Sequence, residues 1–317
     1  MLRQNHSRDS VVFKMKNTTT LLIFLPDNYA LAVVTSLQII VGAISNALVI
    51  ATIVLGQRYD KAPSDIIVLN LSFVDLLPCL TFLPWMTFQL IQGEGFHEDI
   101  IFLQGLYFCL RLWGGNAVFA VMLDRYVATC LPLRYRAIVT RKRTFLFTVF
   151  FIWVFGFSFG LAKLVAVLLN FVNELFWVHS VMNLLTFTSI CVMYGSILRQ
   201  IRQQLKKISL AGVGGSNVLH TRKRQKLVLS LKFTNKALTF ALSFFITFLP
   251  CLVTFFATYS DRIAQNTRML LLWEIRVSCF GFLNSCINPV IHSFRNTRFN
   301  EMFWRMINRT RRTLWTT

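Results

Sequence analysis

Acidic residues are scarce in this chain: 13 Asp and Glu stand against 33 Lys and Arg among 317 residues. Charge of either sign is also low, at 15% of residues, where soluble domains carry about a quarter. With 55% apolar side chains and 31 phenylalanines, this composition excludes an ordinary soluble domain and points to a membrane protein. Catalytic signatures are missing too. The sequence has no paired His and Cys ligands, no convincing Ser-His-Asp order and no phosphate-binding glycine loop, so no enzyme, cofactor or metal is expected. No internal repeat is visible.

What is present is a series of apolar runs, each near the 20 residues that cross about 30 Å of hydrocarbon. Seven such spans fall at 29–55, 65–91, 100–131, 144–169, 171–201, 229–259 and 269–293. The basic residues gather after spans one, three and five: Arg58 and Lys61, then Arg134, Arg136 and Arg141 to Arg143, then Lys206, Lys207 and Arg222 to Lys226. The loop with Glu94, Glu98 and Asp99 has no lysine or arginine. By the positive-inside rule the amino terminus lies outside and the carboxyl terminus inside. The charge excess therefore faces anionic lipid and cytosolic partners, and nucleic acid is not expected as a partner.

Residues 1–28 read as a retained extracellular tail, lacking the order of a signal peptide. Asn5 and Asn17 head glycosylation acceptor patterns there, whereas Asn308 would lie in the cytosol and stay unmodified. All seven cysteines, Cys251 among them, fall within or at the ends of spans, so no extracellular disulfide is expected. Residues 209–226, rich in glycine and basic side chains, read as a mobile inner loop. In 294–317, Phe299, Met302, Phe303 and Met306 share one helical face, which predicts an amphipathic helix on the inner leaflet. The fold class is thus an all-α membrane protein: a seven-transmembrane helix bundle over 29–293 with a short eighth helix after it.

Polar residues inside a span are costly and usually face the bundle interior. Asn46 in the first span, Asn70 and Asp75 in the second, and Asn284, Asn288 and Pro289 in the seventh are such residues. Singly, an asparagine there reads as hydrogen-bonded glue between helices, worth about 0.6 kcal/mol per contact. Together, "SNALV", "LSFVD" with Asp75, "DRY" at Asp124 to Tyr126, Trp153, Tyr194, "FLP" ending at Pro250 and "NPVIH" at Asn288 to His292 form an ordered set. With these motifs the chain resembles a rhodopsin-like (class A) G-protein-coupled receptor. Its "DRYVATCLPLRY" and "NPVIHSFRN" look like olfactory receptor signatures.

The resemblance implies an extracellular ligand, a heterotrimeric G protein and plasma-membrane lipid as partners. It implies a switch in which Arg125 pairs with Asp124 at rest, together with Asp75, Tyr126, Tyr194, Phe244, Phe248, Pro250, Asn284, Asn288, Pro289 and His292. Arg125, Pro132 and Leu133 would meet the G protein. Several positions depart from the family pattern. Ile100 stands where the cysteine at the outer end of the third span is expected, the one the family usually ties to the second outer loop, and that loop is very short. Melanocortin receptors share both traits, but Gln104 stands where their aspartate is expected. Leu110 and Gly114 replace the polar third-span residues of the family's sodium site. Ser230 replaces the acid that often restrains Arg125, which implies high basal activity.

Arg111 lies fourteen residues before Arg125, about 21 Å up a helix and near the depth where ligands of the family bind. A buried cation requires a partner, and both Glu274 and a ligand carboxylate or phosphate suit it. Gln104, Phe108, His179, Cys251, Phe255 and Trp273 would line the rest of an apolar, aromatic cavity. The rival class is a transporter or channel, for which Asp75 and Arg111 would serve an ion path, though matched halves with broken helices are absent. A decoy that binds ligand without signalling is the third reading, on His292 and Phe248. The predicted orientation is testable on the tail. Peptide N-glycosidase should increase the gel mobility of surface-expressed protein, and combined Asn5→Gln and Asn17→Gln changes should abolish that shift; an unshifted wild type contradicts the use of these acceptors.

Overall fold

The computed structural model describes residues 25–56, 62–92, 101–169, 172–211, 249, 277, 279–290, 300, 301, 303–305, 307 and 308, nearly all of them helical. In chain order the elements are α1 (Leu25–Gly56), α2 (Pro63–Leu80), α3 (Phe82–Gln92), α4 (Ile101–Cys130), α5 (Pro132–Ile138) and α6 (Arg141–Phe147). A π-helical segment, π1 (Thr148–Val154), then leads into α7 (Phe155–Leu168) and α8 (Val172–Ala211). Residues 279–290 form α9. Five stretches are long and apolar enough to cross a membrane: Tyr29–Leu55, Pro63–Gln92, Gly105–Cys130, Arg141–Ala162 and Val181–Gln204. They match the first five predicted spans, and α9 lies within the seventh. The sixth lies outside the described residues apart from Leu249, as does most of the predicted inner loop.

Helices are what hydrocarbon permits here, because each backbone N–H and C=O must find its partner inside the segment. The side chains follow the same logic. On α1, Leu37, Ile40, Ile44 and Leu48 recur every three or four residues and are exposed, while Thr35, Gln38, Asn46 and Thr52 are buried. That is the reverse of a helix folded in water, and it fits lipid outside and a polar interior. Hydroxyls along the spans turn back to carbonyls of their own helix, as Thr52 does to Leu48, Thr186 to Met182 and Ser196 to Val192.

Two spans are less regular than their sequence suggested. The second is not one helix but two, broken at Thr81. Pro84 has no N–H to give to the Leu80 carbonyl, and its ring crowds that carbonyl, so the turn cannot close. At its other end α2 begins with Pro63, and the Asp65 carboxylate accepts from the Ala62 N–H at 2.9 Å. The fourth span opens at Arg141 and widens into π1. Carbonyls in π1 accept side-chain donors from α4: Asn116 Nδ2 donates to Phe151 and Trp113 Nε1 to Trp153, both at 3.1 Å. Trp153 Nε1 in turn donates to Asn70 Oδ1 on α2 at 2.8 Å. The fifth span runs ten residues past its predicted end, so 209–211 are helical and not loop. At 40 residues α8 is about 60 Å long, longer than the hydrocarbon is thick, and its last turns carry exposed Arg202, Lys206 and Lys207.

The main core cluster joins α4 to α2, π1 and α8 through Leu71, Val74, Val118, Met122, Ile152, Ile190 and Ile197. A second cluster holds Leu83, Met86, Leu110 and Phe282, with the Phe82 ring 5.4 Å from Phe282 and 5.1 Å from Tyr107. Near the carboxyl end, half-buried Phe303 packs against Val49 and Ile53 of α1. Phe299, Met302 and Met306, its predicted companions, lie outside the described residues.

Glycines set how closely α4 and α7 approach. A Cβ at Gly160 would stand 3.1 Å from the Gly105 carbonyl and collide with Cys109 Sγ, and one at Gly156 would collide with the Trp113 ring. At Gly195 on α8 a Cβ meets nothing within 4 Å among the described residues. Gly195→Ala is therefore expected to raise the thermal unfolding temperature of purified protein, by a helix gain of about 0.5–1 kcal/mol. Gly160→Ala should lower it, since overpacking costs about 1–3 kcal/mol. Equal shifts for the two variants would contradict this account.

Candidate functional site

An acid and an arginine stand together near the carboxyl end of α4. The helix stops at Cys130, and Leu131 leaves helical geometry with φ −125° and ψ 50°. Pro132 then starts α5 at its first turn, where a missing N–H costs nothing. The Tyr135 N–H donates to the Leu131 carbonyl at 2.9 Å, closing the first turn of α5 after the break. As a result the Tyr135 hydroxyl donates to Asp124 Oδ1 at 2.8 Å, while Arg125 forms a salt bridge with Asp124 Oδ2. The Asp124 side chain is 3% exposed and that of Arg125 26%. Burial pushes the Tyr135 phenol above its usual pKa, and the charge of Asp124 and its hydrogen bond push the same way against the opposing Arg125. Tyr135 is thus a neutral donor throughout the physiological range.

Tyr126 and Tyr194 are half-buried and pack on the main core cluster beside this site. Pro132 and Leu133 are exposed, and Leu133 is 97% so, a large apolar side chain uncovered on the basic side of the bundle.

Deeper in the bundle, Pro289 organises the second polar group. Lacking an N–H, it leaves the Ser285 carbonyl four residues earlier without its helical donor. Asn46 Nδ2 on α1 takes that carbonyl at 2.8 Å, and also bonds the Gly42 carbonyl of its own helix at 2.9 Å. Around this junction Asp75 on α2 accepts from Ser285 Oγ at 3.0 Å and Asn288 Nδ2 at 2.8 Å. A carboxylate in hydrocarbon needs such donors, and hydrogen bonds to a charged acceptor are about twice as strong as neutral ones. Asp75, Asn46 and Asn288 are all buried. The Asn288 Oδ1 is buried with no hydrogen-bond partner among the described residues.

Asp75 and Asn284 border a cavity that Arg111, Gly114 and Asn183 also line. It offers about 30 Å³ to the centres of water-sized molecules. A small-molecule site needs roughly 300–1,000 Å³, and the space bounded by the described residues is of the size of a water. Phe108 lies on α4 with its ring edge-on to Tyr107 at 5.8 Å. Gln104 on α4 and His179 on α8 are placed as helical backbone, their side chains outside what is described. Cys251, Phe255, Trp273, Glu274, Phe244, Phe248, Pro250, His292, Asn5 and Asn17 lie outside the described residues.

The structure thus joins Asp75 to Asn288, and Asp124 to Arg125, and keeps the two groups on separate levels of the bundle. It also adds partners that no sequence pattern announced. Eleven residues separate Asp124 from Tyr135, across the helix break at Leu131, and 210 separate Asp75 from Ser285, so neither pair lies on the face of one continuous helix. Asn116 was silent for the same reason, since its acceptor exists only because the fourth span widens at π1.

The profile of the 7 transmembrane receptor (rhodopsin family) matches residues 45–292. Among curated proteins, octopamine receptor beta-2R of Chilo suppressalis is 22% identical over 93% of this chain and 80% of its own length. Galanin receptor 2b of Danio rerio is 24% identical over 88% of this chain and 75% of its own. Olfactory receptor 4X1 of Homo sapiens is 32% identical over 31% of this chain and 33% of its own length. All three are receptors. The matched interval contains Asn46, Asp75, the Asp124–Arg125 pair and Pro289, and the chain belongs to the rhodopsin family of seven-transmembrane, G-protein-coupled receptors.

Proposed function

We propose that an extracellular ligand, bound in the outer half of the bundle, shifts this receptor from a resting arrangement to one in which Arg125 is released to a heterotrimeric G protein. The observation that carries the reading is the three-residue clasp at the inner end of α4. Asp124 holds Arg125 and Tyr135 at once, so opening it frees a cation one turn from the end of the helix, beside uncovered Leu133. In this reading Arg125, Pro132 and Leu133 form the G-protein contact, and Asp75, Asn284, Asn288 and Pro289 form the element whose rearrangement accompanies opening. Residues 1–28 lie outside the cell, 29–293 form the receptor bundle in the plasma membrane, and 294–317 run along the inner leaflet.

The names of the relatives span octopamine, galanin, chemokine and olfactory receptors, so they do not narrow the ligand to one chemistry. Arg111, in the half assigned to the ligand, suits equally an ion pair with Glu274 and a ligand carboxylate or phosphate. Phe108 supplies an aromatic face near it on the same helix.

Two variants test the clasp. With surface levels matched, Arg125→Ala should lower G-protein nucleotide exchange in transfected-cell membranes by about tenfold, equal to ~1.4 kcal/mol of lost coupling. Exchange equal to wild type would sink the assignment of Arg125. Tyr135→Phe removes one hydrogen bond to a charged acceptor, worth about 1.5–3 kcal/mol, from the resting side alone. Basal exchange should therefore rise; an unchanged or lower basal rate would show that Tyr135 does not hold the resting state.

A further inference from the structure

Two thiols from different spans meet where α1 has no side chain. A Cβ at Gly42 would stand 2.5 Å from Cys79 Sγ and 3.4 Å from Cys286 Sγ, so the absent Cβ is the space into which both sulfurs point. Both thiols also share one acceptor, the Gln38 carbonyl, at 4.0 Å from Cys79 Sγ and 3.3 Å from Cys286 Sγ. Their exposure differs: Cys79 is fully buried, and Cys286 is half-buried. Neither belongs to the clasp at Asp124, but each is tied to the deeper polar group. Cys79 follows Asp75 by one helical turn and Cys286 follows Ser285 directly.

We propose that Cys79 and Cys286 are an oxidative modification site, at which a membrane-soluble organic hydroperoxide joins α2 to α9 through a disulfide. Cys286, the less buried of the two, attacks the terminal peroxide oxygen. The O–O bond breaks, the alcohol leaves with the thiol proton, and Cys286 becomes a sulfenic acid. Cys79 Sγ then attacks the Cys286 sulfur, the S–S bond forms, and the hydroxyl group leaves as water with the Cys79 proton. Overall two thiols are oxidised by two electrons and one hydroperoxide is reduced to an alcohol and water. Burial slows thiolate formation, and the close placement of the two sulfurs opposes that by making the second step intramolecular. The product is neutral and apolar, so the hydrocarbon accepts it without stranding a charge.

The cross-link would fasten α2 to α9 beside the bonds from Ser285 and Asn288 to Asp75, and so hold that group in one arrangement. This consequence for signalling rests on the function proposed above; the chemistry of the pair does not. The test is to treat the full-length receptor in lipid nanodiscs with cumene hydroperoxide, alkylate the remaining thiols, and digest for mass spectrometry. The expected product is a Cys79–Cys286 linked peptide that a membrane-permeant phosphine reverses, with basal nucleotide exchange lost on linking and regained on reduction. In Cys79→Ala, Cys286 should stop at the sulfenic or sulfinic acid. Absence of the linked peptide while exposed Cys191 is oxidised overturns the site. A linked peptide with unchanged exchange overturns its regulatory role and leaves the chemistry standing.

Discussion

The carbonyl of Ser285 governs the middle of this bundle. Pro289 strips it of its helical donor at a depth where no solvent replaces the bond, and an unpaired backbone acceptor in hydrocarbon costs several kcal/mol. Asn46 on α1 supplies the missing donor. That one bond draws α1 against α9 and fixes the turn that carries Ser285 and Asn288, whose polar atoms face Asp75 on α2. Three helices distant in sequence are thereby joined at a point set by one proline. The convergence of Cys79 and Cys286 beside Gly42 belongs to the same junction.

The other side of the bundle is organised around α4 and depends on contact, not on buried charge. Glycines at 105, 156 and 160 let α7 approach until Cys109 and Trp113 fill the space a side chain would take. The wide turns of π1 offer carbonyls to Trp113 and Asn116, and Trp153 extends the chain of bonds to Asn70 on α2. Such a seam holds the outer part of α4 along its length, in a chain with Ile100 where a disulfide-forming cysteine is the family norm. Arg111 and Arg125 share this one helix, so in the proposed function a displacement of α4 at Arg111 would reach the clasp at Asp124 through the helix itself.

The clasp and the deeper group answer to different physics. Asp124 sits at the membrane edge, where Arg125 stays partly exposed and the loop helix α5 returns a phenol to the second carboxylate oxygen. Asp75 has no such edge and relies on two neutral donors inside the bundle. An opening event at the inner end exposes charge to water at modest cost, whereas Asp75 keeps its charge only while its donors move with it.

The membrane class, the first five spans, the seventh and the pairing of Asp124 with Arg125 were legible in the order of residues. Apolar length and adjacent opposite charges are local properties that need no partner from elsewhere in the chain. The break at Thr81 was also written locally, in Pro84, but a hydropathy pattern does not register a missing N–H. Tyr135, Ser285 and Asn116 were not legible, since each meets a partner that comes within reach only once a helix has stopped, kinked or widened. The sequence by itself determined that this chain crosses the membrane, which side of it is basic and which polar residues had to turn inward, because hydrocarbon penalises every unpaired charge and amide. Only the tertiary structure decided which partner each of them found, because in a helix bundle those partners come from other helices and their distances follow from packing.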